Sequence, residues 1–332
     1  MMNPQPLFSA EVLHLDVVGA VEQITTAIRA LVRKELRRKG VVLGLSGGID
    51  SSVVAVLAAR ALGPDRVLAL LMPERESSED SLTLGHLVAD YVGIRTLVED
   101  ITPMLESAGS YRRRDEMIHR VIPEYGPDYK CKIVLPNLVG QHSYRLFSVV
   151  AQAPDGREIR ARLTSEAYHG IVAATNFKQR VRKMMEYYHS DRLHYAVLGT
   201  PNRLEYDQGF FVKNGDGAAD VKPIAHLYKT QVYQLAEYLG IPEEIRRRPP
   251  TTDTYSLSQS QEEFYFSLPY EKMDLCLYGT NHGFAASDVA GAVGLTTEEV
   301  AYVYNDIAAK RKATRYQHCQ PLLVENVDEV VP

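Results

Sequence analysis

Val41-Val42-Leu43-Gly44-Leu45-Ser46-Gly47-Gly48-Ile49-Asp50-Ser51-Ser52 decides the fold. An apolar run of strand length ends in a hydroxyl, two glycines, an acid and two more hydroxyls, and an Ala-rich apolar helix follows from Val53 to Leu62. Glycines without a Cβ let backbone N–H groups approach an oxyanion, and a new helix adds unpaired amides and the positive end of its dipole. Ser46, Ser51 and Ser52 can donate further hydrogen bonds, and Asp50 can hold Mg²⁺ against phosphate oxygens. The stretch reads as a pyrophosphate cradle. It lacks the lysine and spacing of a Walker loop, and it lacks Gly-x-Gly-x-x-Gly.

Working outward, residues 12–39 carry apolar residues at helical spacing and end in a basic run before Gly40. Strands are expected at 41–45, 66–72 and 94–98, with helices at 52–62 and 78–92 between them. This alternation implies an α/β fold, a doubly wound parallel sheet with helices on both faces. The stretch 100–165 breaks the rhythm. Residues 147–153 and 158–164 read as two strands around Pro154-Asp155-Gly156, an inserted β-hairpin within 144–164. Helix 176–191 and the apolar run 195–198 restore the alternation. Helix 228–239 and a largely helical C-terminal segment, 254–320, with short helices at 270–278 and 296–309, complete a single domain spanning 1–332.

Composition fits a globular enzyme. The 332 residues are 45% hydrophobic and 24% charged, with a net charge of −5 that argues against a general nucleic-acid surface. Cys131, Cys276 and Cys319 are scattered, which supports neither a disulfide framework nor a zinc site. No apolar run reaches membrane-spanning length and no signal-peptide pattern opens the chain, so a cytoplasmic protein without membrane or nucleic-acid partners is expected.

A second dense block carries chemistry. Gly199-Thr200-Pro201-Asn202-Arg203-Leu204-Glu205 ends an apolar strand, where ligands gather in open α/β sheets. Thr200 suits adenine or ribose, and Glu205 is a second carboxylate for Mg²⁺. Residues 209–220 form a glycine-rich turn with one cation and two acids, and Lys229 at a helix start can neutralise a phosphate.

The first stretch resembles the signature of the ATP pyrophosphatases, which split ATP into AMP and pyrophosphate while adenylating a substrate. Asn-Phe-Lys-Gln-Arg-Val-Arg-Lys-Met (176–184), Gly-Thr-Pro-Asn-Arg-Leu-Glu (199–205), Gly-Phe-Phe-Val-Lys-Asn-Gly-Asp-Gly-Ala-Ala-Asp (209–220), Leu-Tyr-Lys-Thr-Gln-Val (227–232) and Pro-Pro-Thr-Thr-Asp (249–253) resemble, in order, the motifs of ammonia-dependent NAD synthetases. The resemblance implies that Gly44, Leu45, Ser46, Gly47, Gly48, Ile49, Asp50 and Ser51 bind ATP together with Thr200, Lys229 and Thr251. It implies that Asp50 and Glu205 hold Mg²⁺, that Asp50 and Lys229 act in catalysis, and that Arg180, Lys213 and Asp220 contact nicotinic acid adenine dinucleotide. The implied reaction is ATP-dependent amidation of that acid through an acyl-adenylate, with ammonia as nitrogen donor, in a homodimer. With only one helix before Val41, ammonia is expected free or from a separate glutaminase subunit. The nearest alternative keeps the adenylation and amidates a different carboxylic acid. The sequence departs from the family pattern at Gln259-Ser260-Gln261-Glu262-Glu263 and at Tyr316-Gln317-His318-Cys319-Gln320, where His-Lys-Arg is usual; Lys310, Arg311 and Lys312 could replace that cation but read more simply as a solvated helix end.

Overall fold

The computed structural model describes residues 8–134, 147–251, 254–266 and 268–327. After a short turn of helix at Ala10–Leu13, helix α1 spans Val17–Ala30 and runs on through a widened turn at Leu31–Glu35. Strand β1 (Val41–Gly44), helix α2 (Ile49–Leu62), strand β2 (Val67–Leu71), helix α3 (Glu79–Val92) and strand β3 (Arg95–Val98) follow. Then come helices α4 (Thr102–Ser107) and α5 (Ser110–His119), strands β4 (Lys130–Val134), β5 (Ser148–Gln152) and β6 (Glu158–Arg162), and helix α6 (Ser165–Leu193). Strand β7 (Ala196–Val197) precedes α7 (Arg203–Gln208), α8 (Lys229–Tyr238) and α9 (Glu243–Arg246). The C-terminal helices are α10 (Tyr270–Asn281), α11 (Ala286–Val293) and α12 (Thr297–His318).

The parallel sheet has the order β3-β2-β1-β7, so the strand order reverses between β1 and β7. Successive strand side chains point to opposite faces. Val41 and Leu43 pack with α1, α2 and α8, whereas Val42, Leu68 and Leu70 pack with Ile101, Leu105, Tyr111 and Val181 from α4 to α6. Helices therefore cover both faces, as the alternation predicts. Residues such as Leu43, Val54 and Leu57, wholly buried, each contribute about 1.5–3 kcal/mol through removal of apolar area from water.

The expected hairpin forms, with Val149 opposite Ala161 and Ala151 opposite Ile159. It is not free-standing: β4 pairs antiparallel with β5, giving a three-stranded sheet β4-β5-β6. Residues 144–146 of the expected hairpin lie outside the described residues. The buried Cys131, Ile133, Val149 and Ala151 of this sheet pack on Ile118 of α5, Ile171 of α6 and Tyr255. Helix α6 begins eleven residues before the expected start at 176, with the Thr164 side chain accepting a hydrogen bond from the Ala167 amide. Gly170 weakens this first half as a helix on its own, but a Cβ there would lie 2.6 Å from Met117 Cγ of α5. Close packing of α5 on α6 thus favours glycine, since a Cβ would have to displace the Met117 side chain, and this offsets its low helix propensity.

Candidate active site

β1 ends at the point where the strand order reverses, the place where open α/β sheets leave a crevice at their carboxyl ends. The chain turns through Leu45–Gly48 into α2. Gly47 has φ +72°, and a Cβ on it would stand 2.6 Å from Leu84 Cβ of α3. It lines none of the described cavities: its task is to let the loop pass under α3. Gly48 caps α2 in an extended conformation, and its carbonyl accepts hydrogen bonds from the hydroxyls of Ser51 (3.0 Å) and Ser52 (2.8 Å).

Asp50, in the first turn of α2, faces Lys229 and Asn202. The Lys229 ammonium donates to one carboxylate oxygen, and Asn202 Nδ2 donates to the other at 3.1 Å. Lys229 is the first residue of α8 and is wholly buried. Burial alone would lower its pKa, but the charges of Asp50 and Glu205 outweigh that effect and hold it above the usual lysine range. Asp274 fixes the start of α8. Its carboxylate accepts the amides of Lys229 (3.3 Å) and Thr230 (2.7 Å), and burial raises its pKa to about 7.

Glu205 is placed by a capping box on α7. The Asn202 side chain accepts the Glu205 amide (3.2 Å) while Glu205 Oε2 accepts the Asn202 amide (3.1 Å), and Gln261 Nε2 reaches Oε1 at 3.2 Å. Burial, reinforced by the Asp50 charge, raises the Glu205 pKa to about 8. Two carboxylates that repel one another across a small cavity are a suitable donor set for Mg²⁺, which takes one or two protein carboxylates plus phosphate oxygens. No group of three or more His, Cys, Asp or Glu able to hold a metal occurs among the described residues.

A cavity of about 150 Å³ brings together Ser46, Gly48, Ile49, Asp50, Ser51, Thr200, Glu205, Lys229 and Thr251. A larger cavity of about 620 Å³ continues from it past Gly44, Leu45 and Thr200 toward Phe211 and Asp216. Thr252 and Asp253 of the Pro-Pro-Thr-Thr-Asp motif lie outside the described residues. Arg180, Lys213 and Asp220 line none of the described cavities. Arg180 Nε donates to the Lys213 carbonyl (3.3 Å), Lys213 Nζ donates to the carbonyls of Tyr316 (2.8 Å) and Cys319 (3.0 Å), and Asp220 accepts the Val197 amide (2.7 Å) and the Tyr187 hydroxyl (3.2 Å).

Four residues outside the expected site belong to it. Asn202 and Gln261 hold the two carboxylates, Asp274 holds the lysine, and Asp216 lines the larger cavity. Asp216 accepts the Val212 amide at 2.7 Å, and burial raises its pKa. The Gly-Asp-Gly at 215–217 looks like an ordinary turn in the sequence. The solvated reading of Lys310 and Arg311 is wrong. Lys310 pairs with Asp306 (2.9 Å) and donates to the Tyr265 carbonyl (2.8 Å), and Arg311 forms a two-pronged pair with Asp207 (2.5 and 2.7 Å).

Glycine turn, helix start, paired carboxylates and buried lysine converge on one spot because the sheet reverses there, which places the chain among doubly wound α/β proteins whose site lies at the reversal of strand order. The chain belongs to the NAD synthase family, whose sequence pattern matches residues 20–121 and 152–319. It is 59% identical over 334 residues to the NH(3)-dependent NAD(+) synthetase of Rhizobium meliloti (strain 1021), covering 99% of this chain and 100% of the relative. It is 35% identical over 245 residues to that of Thermotoga maritima, covering 74% of this chain and 81% of the relative. Among solved structures, the NH3-dependent NAD synthetase from Campylobacter jejuni in complex with the nitrate ion has a TM-score of 0.61 at 22% identity, covering 94% of this chain and 100% of the other. NMN synthetase from Francisella tularensis has a TM-score of 0.65 at 20% identity, covering 93% and 99%. At such identities the structural likeness bears on the fold alone.

Proposed function

We infer that this protein is an ammonia-dependent NAD synthetase, which amidates nicotinic acid adenine dinucleotide through an acyl-adenylate and releases AMP and pyrophosphate. The observation that carries the reading is 59% identity over almost the whole chain to a relative named for that activity. The closed Asp50–Lys229–Glu205 constellation supports it.

A carboxylate acylates poorly because its leaving group is oxide. Its oxygen therefore attacks the α-phosphorus of ATP, the bond to the bridging oxygen breaks, and pyrophosphate leaves. The α2 amides and Lys229 neutralise charge on the departing phosphates. Asp50 and Glu205 are the residues that would hold Mg²⁺, which when bound polarises phosphoryl oxygens. Ammonia then adds to the activated carbonyl carbon, AMP leaves, and the amide forms. Ammonium must shed a proton first, and Asp216, buried in the same cavity with a raised pKa, is suited to take it.

Arg180, Lys213 and Asp220, all outside the two cavities, are proposed to contact the dinucleotide, in a homodimer whose partner completes that part of the site. The chain is read as cytoplasmic. No helix among the described residues is long and apolar enough to cross a membrane.

Ammonia arrives free or from a separate glutaminase subunit. A glutaminase of the nucleophilic-cysteine kind needs an activated thiolate. Cys131 and Cys276 are buried with raised pKa values, that of Cys276 to about 12, and Cys319 lies outside the cavities. With ATP, Mg²⁺ and nicotinic acid adenine dinucleotide, ammonium should give NAD, AMP and pyrophosphate in equal amounts by mass spectrometry, and glutamine alone should give none. Pyrophosphate release with another carboxylic acid but not with this one overturns the assignment.

A further inference from the structure

Two chain segments from distant parts of the sequence face one another across the phosphate cavity. One is the β2–α3 connection with the start of α3, which supplies Ser81 to the small cavity and Ser77 and Ser78 to the larger one. The other comprises residues 248–251 and 254–261 and supplies Thr251 and Gln261 to both. At the exposed edge Arg248 Nη2 donates to Ser78 Oγ at 3.2 Å, and in the interior neither Asp50 nor Lys229 ties the two walls together.

Lys178 does. It projects from α6, and its side chain is 2% exposed. Its ammonium has three N–H donors, and three acceptors meet them: Glu74 Oε1 at 2.8 Å, Glu76 Oε2 at 2.8 Å and the Thr254 carbonyl at 3.0 Å. Both carboxylates belong to the first wall and the carbonyl belongs to the second. Glu74 also accepts the Tyr111 hydroxyl (2.7 Å) and the Glu76 amide (3.1 Å), while Arg114 of α5 reaches both Glu76 oxygens at 2.8 and 2.6 Å. Two buried acids thus face two buried cations. Strand β4 braces the second wall from behind. The Cys131 amide donates to Ser256 Oγ (2.9 Å), the Leu257 amide to the Cys131 carbonyl (3.0 Å) and Gln259 Nε2 to the Ile133 carbonyl (2.7 Å). The extra sheet therefore bears on the nucleotide side of the molecule.

Buried ion pairs are poor stabilisers, because desolvation offsets much of their attraction, and apolar replacements of a whole cluster are often as stable. What a three-point ammonium supplies is a fixed distance between its acceptors. We propose that Lys178 is a positioning residue for adenylation, its ammonium joining Glu74 and Glu76 on one wall to the Thr254 carbonyl on the other and so setting the width of the cleft that receives the ATP phosphates. This rests on the assignment of that cavity to ATP.

The test uses the full chain and two variants that leave no buried carboxylate unpaired. The triple change Glu74→Gln, Glu76→Gln, Lys178→Met removes three of the four charges and leaves Arg114 with Asp115 at 2.8 Å as its counter-charge, and Lys178→Arg keeps the charge but replaces a tetrahedral three-donor group with a planar fork. Both should raise the KM for ATP by about tenfold or more, with kcat within about threefold. The triple variant should melt within a few degrees of the parent. Hydrogen exchange should quicken together at amides 76–81 and 254–261 in both, a readout that holds even where one variant is too unstable for kinetics. An unchanged ATP KM in a folded variant, or quickened exchange in only one wall, overturns the proposal. Thr200→Val, in the cavity but away from Lys178, separates the two premises. If it too leaves the ATP KM unchanged, the cavity assignment has failed, and if it alone raises the KM, the positioning role has failed.

Discussion

Replacing Asp50 with asparagine removes a charge while nearly preserving shape, and the structure predicts separate consequences for catalysis and for folding. Asn202 Nδ2 can still donate to the new amide oxygen, as it donates to Asp50 at 3.1 Å. Lys229 loses its direct counter-charge, and one of two carboxylates suited to Mg²⁺ is gone. Loss of one such group at a phosphoryl transfer costs about 4 kcal/mol in the transition state, or roughly a thousandfold in rate. Stability should fall much less than the roughly 3–5 kcal/mol typical of breaking a buried pair. The reason is Glu205, whose pKa of about 8 is held up partly by the Asp50 charge. Without that charge Glu205 ionises near neutrality and becomes the partner of Lys229, leaving a net cost of about 1–2 kcal/mol and a few degrees in Tm. Quenched-flow measurement of AMP and pyrophosphate checks the first number, and thermal unfolding the second. Pyrophosphate formation within tenfold of the parent rate would refute the catalytic assignment. A collapse of the fold would refute the compensating role of Glu205.

Other expectations follow from single groups. For Glu76, burial pushes the pKa up, but hydrogen bonds from Arg114 and the Lys178 charge outweigh it and draw the value from 4.5 to about 2. A lowered carboxyl pKa gives stability that is complete above the unfolded value and is lost as pH falls toward the folded one, here about 3 kcal/mol between pH 4.5 and 2. The Tm gap between the parent and Glu76→Gln should therefore be widest near neutrality and narrow steadily in acid; a constant gap down to pH 3 counts against it. Gly47→Ala must place a Cβ at φ +72° and 2.6 Å from Leu84 Cβ, so it should cost about 2 kcal/mol and raise the ATP KM. Gly63→Ala, at φ +90° with nothing within 4 Å, should share the backbone cost and leave the ATP KM alone. Equal ATP affinities in the two variants would remove the loop argument.

What the sequence made legible was local. The cradle could be read because its apolar strand, its glycines and the apolar helix after it are contiguous, and each bears on one physical task. The parallel core followed from the same strand and helix rhythm. Strand β4 carried a signal that went unread: Lys130, Cys131, Lys132 and Ile133 alternate, and the structure buries Cys131 and Ile133. Helix α5 was hidden differently. Arg112-Arg113-Arg114-Asp115-Glu116 looks like a solvated stretch, yet Arg114 is 3% exposed because Glu76 meets it. The partners of Asp50 and Lys229 were beyond reach for a topological reason. Asn202 meets Asp50 across 152 positions, and Asp274 meets the start of α8 from 44 and 45 positions away. No spacing rule links such pairs, since only the reversal of strand order and the packing of α10 on α8 bring them together.

The long-range contacts also bear on how, on the proposed function, an acidic-looking site would admit a polyanion. Two carboxylates at the mouth of a phosphate cavity should repel ATP. Here Lys229, wholly buried, lies against Asp50 and cancels its charge, while burial and the Asp50 charge together keep Glu205 largely protonated at neutral pH. Arg248 is then the remaining charged residue lining the small cavity, and with the α2 amides it gives the cavity a positive potential. Asp274 makes this arrangement possible, because it satisfies the first amides of α8 without a charged group inside the cavity. Arg or Gln in place of Lys229 would not substitute: the first is too bulky and planar for a fully enclosed position, and the second leaves Asp50 uncompensated. On the proposed assignment of this cavity to ATP, the entering phosphates would therefore meet Arg248 and the α2 amides as positive charge, with Lys229 and the two carboxylates acting as one neutral unit.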